Sequence, residues 1–217
     1  MRRLLAVALS VPVLTACATA SAHEGDPNFR SDVLAVAPAT DGIDVEVLNR
    51  DDRLLLTNRS GRTVLIDGYS DDPYARLLPD GTVQVNRDSA ATYLNEERDG
   101  IVTVPDDADG EGPPRWETVS KTGRFEWHDH RMHWMGRGVP PAVEDESRTQ
   151  KIGDWEVPIA IDGERGAISG ELWWTPQEDP GPPMAAMAAL VAVVLAGGAA
   201  VVVVRRRRRD RAAAEAW

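Results

Sequence analysis

The 217-residue chain contains one cysteine, Cys17, and four histidines. A single thiol excludes a disulfide framework and a thiolate zinc cluster. Basic residues number 24 against 35 acidic ones, and the formal charge of −11 argues against a nucleic-acid binder, which needs a basic surface to neutralise phosphates. Gly-x-Ser-x-Gly, a phosphate-cradling glycine loop with lysine, and His-Glu-x-x-His are all absent. The expectation is therefore a protein that is not an enzyme. There is no internal repeat, and no long window has an amphipathic 3.6-residue period. The length fits one ordinary domain plus extra segments.

The extra segments are at the two ends. Arg2 and Arg3 precede an apolar run and then Ala20-Ser21-Ala22, the layout of a secretory signal peptide over residues 1–22. Cleavage after Ala22 would make His23 the first residue of the mature chain. Leu14-Thr15-Ala16-Cys17 supports a rival reading, a lipobox that would make a lipidated Cys17 the first residue. Residues 184–204 are an uncharged run of Ala, Val, Leu, Met and Gly, long enough to cross a hydrocarbon core of about 30 Å as a helix. Arg205 to Arg209 follow at once, with Arg211 close behind, and basic flanks stay in the cytoplasm. The expected topology is a single-pass, type I cell-membrane protein with its body outside and residues 205–217 as a cytoplasmic tail.

Between the ends lie an exported domain, residues 23–176, and a stiff Pro-rich spacer, residues 177–183, with Pro180, Pro182 and Pro183. Setting the terminal arginines, Asp210 and Glu215 aside, the exported part holds 16 basic and 33 acidic residues, a formal −17. Such charge keeps a domain soluble and attracts cations without specifying one. Ile43, Val45 and Val47 alternate with Asp44 and Glu46, as in a half-buried strand. Residues 53–57 and 63–66 flank Asn58-Arg59-Ser60-Gly61-Arg62 and read as a hairpin. Residues 74–78 and 82–86 flank Asp80-Gly81, a strong turn signal. Further strands are expected at 101–104, 116–119, 124–134, 155–161 and 167–175, the last two joined by a loop over residues 162–166. Residues 105–115 and 137–153 read as surface loops. The fold expected is mainly β: an antiparallel sandwich, immunoglobulin- or cupredoxin-like, plus one C-terminal transmembrane helix. Trp116, Trp155, Trp173 and Trp174 are expected to pack its core or rim.

Three of the histidines fall in the run Trp127-His128-Asp129-His130-Arg131-Met132-His133-Trp134. On a strand, His128, His130 and Met132 share one face, and Asp129, Arg131 and His133 the other. His-x-His on one face sets two Cα atoms about 6–7 Å apart, a spacing from which two imidazoles can share a metal. Met132 adds a soft thioether, which favours copper and in particular cuprous ion; without thiolates zinc is the second choice. Asp129 serves either as a ligand or to orient an imidazole. A mature N-terminal His23 would add an amine and an imidazole, suited to cupric ion. The plainer alternative is an exposed, polar strand packed on Trp127 and Trp134.

His23, the run His128-Asp129-His130-Arg131-Met132-His133 and the ending Gly166-Ala167-Ile168-Ser169-Gly170-Glu171-Leu172 resemble the periplasmic copper-resistance (CopC-like) copper-binding family. That resemblance implies a small β-sandwich holding Cu(II) through its mature N-terminal His and a downstream Asp-x-His pair. Here only His23, Asp129 and one of His128 or His130 carry over, because the Asp-x-His spacing is absent. The layout is also similar to exported, C-terminally anchored bacterial proteins that open with His-Glu-Gly, a likeness that brings a topology and no function. The reading is thus a membrane-anchored, extracytoplasmic copper protein that buffers or delivers the metal. Its metal residues would be His23, His128, His130, His133, Asp129 and Met132, and its partners the bilayer and other envelope or copper-handling proteins. The alternative is an envelope scaffold with an acidic sandwich and no metal.

Overall fold

The structure, a computed structural model, describes residues 27–177 and 184–214. The signal segment, Cys17, His23 and residues 178–183 of the spacer lie outside the described residues. The chain divides into two units at Pro176/Gln177.

The first unit is built of antiparallel strands. β1 (Phe29–Ala37), β10 (Glu164–Trp174), β9 (Gln150–Ile161), β4 (Val64–Asp67), β5 (Pro73–Leu77), β6 (Val83–Asn86) and β7 (Trp116–Ser120) lie side by side in that order in one sheet. β2 (Ile43–Leu48), β3 (Arg53–Asn58) and β8 (Arg124–Trp127) form the second sheet. A single helical turn, α1 (Ala91–Leu94), sits between β6 and β7 in the chain. The two sheets share one core: Leu54, Leu56, Phe125 and Trp127 from the small sheet meet Val64, Ile66, Tyr74, Leu77 and Ile159 from the large one. Tyr74 and Phe125 bridge the layers with ring centroids 5.7 Å apart. This is the expected mainly-β, two-layer antiparallel architecture.

Local chemistry explains the pairing. Along β8 the residues alternate outward and inward, burying Phe125 and Trp127. The β9–β10 hairpin closes with Asp162-Gly163, both at positive φ (47° and 87°), the conformation a two-residue turn between twisted strands requires. Gly170 of β10 lies where a Cβ would come within 2.1 Å of the Trp155 ring and 2.3 Å of the Asp32 carbonyl. A side chain there would push β1 and Trp155 away, so the small residue is dictated by packing.

The structure corrects several sequence expectations. The loops expected over 137–153 and 162–166 are shorter, because β9 already begins at Gln150 and β10 at Glu164, where the two strands pair. Residues 53–57 and 63–66 are not a hairpin, since β3 and β4 belong to different sheets and the Asn58–Arg62 segment carries the chain between layers. Residues 101–104 form no strand: no neighbouring strand pairs with them, and Ile101 is exposed. The strand expected over 124–134 ends at Trp127, where hydrogen bonds to Asp129 turn the chain. Trp155 and Trp174 are buried, as expected for core residues, while Trp116 and Trp173 are half-buried.

The second unit is α2 (Met184–Ala214), a single helix that continues through the arginines rather than ending at Val204. It is one candidate membrane span, long and apolar enough to cross a bilayer.

A buried histidine cluster

β8 pairs with β3 in a register that sets Trp127 opposite Leu54. The residue after Trp127 is thereby carried alongside Asp52 and Arg53 at the β2–β3 turn. His128 is buried there, its Nδ1 2.9 Å from the Asp52 carbonyl oxygen and 3.3 Å from Asp52 Oδ1. A carbonyl can only accept, so Nδ1 carries the proton and Nε2 is the lone-pair nitrogen.

Asp129 then stops the strand. Its Oδ1 accepts the backbone N–H of Arg131 at 3.1 Å, and its carbonyl accepts that of Met132 at 3.1 Å. Such local bonds offer the backbone an alternative to a ladder, and they turn the chain. The Asp129 carboxylate, fully buried, also accepts Trp127 Nε1–H at 2.9 Å and two guanidinium N–H groups of Arg131, each at 2.8 Å. Arg131 donates further to the carbonyls of Asp67 and Gly68 and lies over the Tyr69 ring at 4.9 Å.

The turn rearranges the faces that a strand would have had. His130 is half-buried, stacked on Tyr69 at 5.7 Å and on His133 at 5.5 Å between ring centroids. Its Nε2–H donates to the Glu97 carbonyl at 3.1 Å, leaving Nδ1 as the lone-pair nitrogen. His133, expected on the opposite face, is thus brought to His130. It is 5% exposed, and neither ring nitrogen has a hydrogen-bond partner. Met132 is fully buried in the core, and its carbonyl accepts Ser31 Oγ–H from β1 at 2.9 Å. The plainer expectation of an exposed, polar strand is therefore corrected: His128, Asp129, Met132 and His133 are all buried.

Charge around the cluster is balanced by pairs that sequence reasoning missed. Asp51, buried, takes Arg98 on Oδ2 at 2.6 Å and on its carbonyl at 2.8 Å. Asp52 faces Arg53 at 3.5 Å and Arg98 at 3.8 Å. Nothing in the sequence marks Arg98; only the fold brings it to the turn 47 residues earlier. Burial pushes the His133 imidazole down to about 3, helped by the positive charge of Arg98. Burial also lowers His128, partly offset by Asp52. Both rings are neutral near pH 7, the form in which an imidazole can ligate a metal. A cleft of about 400 Å³, bordered by Trp127, Arg53 and Glu96, opens beside His128.

Two imidazoles therefore present lone pairs with their opposite N–H tied to a carbonyl, and a third is free at both nitrogens. Among the described residues, no group of three or more His, Cys, Asp or Glu side chains is placed to hold a metal ion. No protein-family model, curated protein or solved structure matches the chain.

Proposed function

We propose that this protein is anchored by α2, exposes its β-sandwich outside the cytoplasm, and uses the histidine cluster to bind copper for buffering or delivery. The observation that carries the reading is His133: a neutral, buried imidazole with two unpartnered nitrogens, stacked on a second histidine. An unpaired buried polar group costs stability, and a bound metal would supply the partner that its nitrogens lack. The outer hydrogen bonds of His128 and His130 to carbonyls are the kind that orient metal-bound imidazoles. His128, His130 and His133 are the proposed ligands, and the side chains would have to rearrange to share one ion. Met132, next to His133 in the chain, packs in the core and offers its thioether only if the segment shifts, and a mature N-terminal His23 would add an amine and an imidazole. Asp129 has both oxygens engaged and acts by positioning the segment. Copper is favoured over zinc by the imidazole and thioether donors without thiolate.

The test is metal affinity of the full chain in detergent. Cu(I) or Cu(II) should bind below micromolar, and His128→Ala/His130→Ala/His133→Ala should abolish it. No binding by the unaltered chain removes the reading. One observation favours the alternative, an envelope interaction module without metal: Asp129, Arg131 and Met132 already hold the segment by protein contacts alone. In that case the triple variant would leave metal tolerance and co-purifying partners unchanged.

A further inference from the structure

Independently of the histidine cluster, and resting only on α2 crossing the membrane, we infer that its arginine run is a binding collar for anionic phospholipid headgroups. The apolar stretch 184–204 rises about 1.5 Å per residue, giving about 31 Å, which matches a hydrocarbon core of about 30 Å. Arg205 therefore falls at the core boundary. The helix does not stop there but continues to Ala214. From Arg205 to Arg211 it climbs about 9 Å, close to the depth of one headgroup layer, about 5–8 Å.

Helical continuation also distributes the charge. Successive residues turn by about 100°, so Arg205 to Arg208 point to all sides of the axis and Arg209 returns near Arg205. All five are exposed, as is Arg211. No rotation of the helix about its axis turns this collar away from the leaflet. Each guanidinium presents a planar fork that matches a phosphate with two hydrogen bonds, and Asp210 is the only acidic side chain within the run. The occupant is the phosphate of an anionic lipid, because the collar lies in the headgroup layer, where zwitterionic lipids carry a compensating ammonium.

The test uses the full chain in nanodiscs of phosphatidylcholine with a minority of phosphatidylglycerol, with the lipids retained on the protein counted by native mass spectrometry. The expected result is enrichment of phosphatidylglycerol by about fivefold per site, the factor that ~1 kcal/mol per interfacial arginine supplies. Replacing Arg205 to Arg209 by Gln should abolish the preference, and replacing them by Lys should keep most of it. Equal retention of both lipids by the unaltered chain, or undiminished enrichment in the Gln variant, overturns the inference. If the Gln variant fails to insert, the unaltered chain decides: enrichment should fall as salt rises, and salt-independent enrichment counts against the collar.

Discussion

Replacing Asp129 by Ala removes the residue on which the geometry of the cluster depends. The carboxylate is fully buried and accepts four hydrogen bonds, from Trp127 Nε1, the Arg131 backbone N–H and two guanidinium N–H groups. Its loss leaves Arg131, whose side chain is 21% exposed, with carbonyls, the Tyr69 ring and only the weaker pull of Asp67 as counter-charge. Removing one partner of a buried pair typically costs about 3–5 kcal/mol, most of it the stranded charge. For a domain of this size each kcal/mol shifts Tm by about 2–4 °C, so the expected drop is about 6–20 °C. The assay is thermal unfolding of the metal-free chain followed by near-ultraviolet circular dichroism. Adding Arg131→Met to the variant should recover part of the loss, because the unpaired charge is then gone. A Tm within about 2 °C of the parent's, equivalent to under about 1 kcal/mol, would refute the reasoning. It would mean that the carboxylate contributes little to the metal-free fold, as expected of a residue present chiefly as a metal ligand.

Met132→Ala should destabilise the metal-free domain by about 2–5 kcal/mol in denaturant titration, since the side chain is fully buried in the core. His133→Leu should leave metal-free stability unchanged or raised, because it removes two unpartnered buried nitrogens. The pH dependence follows from the same residues. His133 is held at about 3 and His128 below its ordinary value, so the unfolded chain binds more protons than the folded one once pH falls below about 6.5. Stability should therefore be full above pH 7 and fall towards pH 5, by up to about 1.4 kcal/mol per pH unit for each histidine. Unfolding curves at several pH values should show a shallower slope in the His133→Leu variant. Asp67, raised by burial, acts in the opposite sense but only in the more acidic range where carboxyls titrate. Truncation before Met184 should move the protein from the membrane to the soluble fraction on ultracentrifugation.

The β architecture was legible where one face of a strand meets water and the other meets the core. Ile43, Val45 and Val47 are half-buried while Asp44 and Glu46 are exposed, so alternation carried β2 directly. Asp80-Gly81 announced its turn because the glycine sits at positive φ, whereas the loop expected over 162–166 narrows to Asp162-Gly163. Layer membership was not legible: Asn58-Arg59-Ser60-Gly61-Arg62 has the composition of a hairpin, yet it joins two sheets, and local sequence does not encode which strand pairs with which. The histidine run was legible as a cluster but not in its shape. Period-two placement assumed a strand, whereas the Asp129 carboxylate and carbonyl captured the next N–H groups and turned the chain. That turn stacks His130 on His133, which a strand would have set on opposite faces. Arg98 and Asp51 were invisible for a different reason, since their pairing spans 47 residues and depends wholly on the fold.

The central claim is that the histidine cluster binds copper. The most direct measurement is the copper and zinc content of the full chain purified from its membrane, with the mass of the mature N-terminus read from the same sample. The account predicts stoichiometric copper that disappears in the His128→Ala/His130→Ala/His133→Ala variant, with the β fold kept. A metal-free chain that takes up no added copper, or copper that persists in the triple variant, would contradict it.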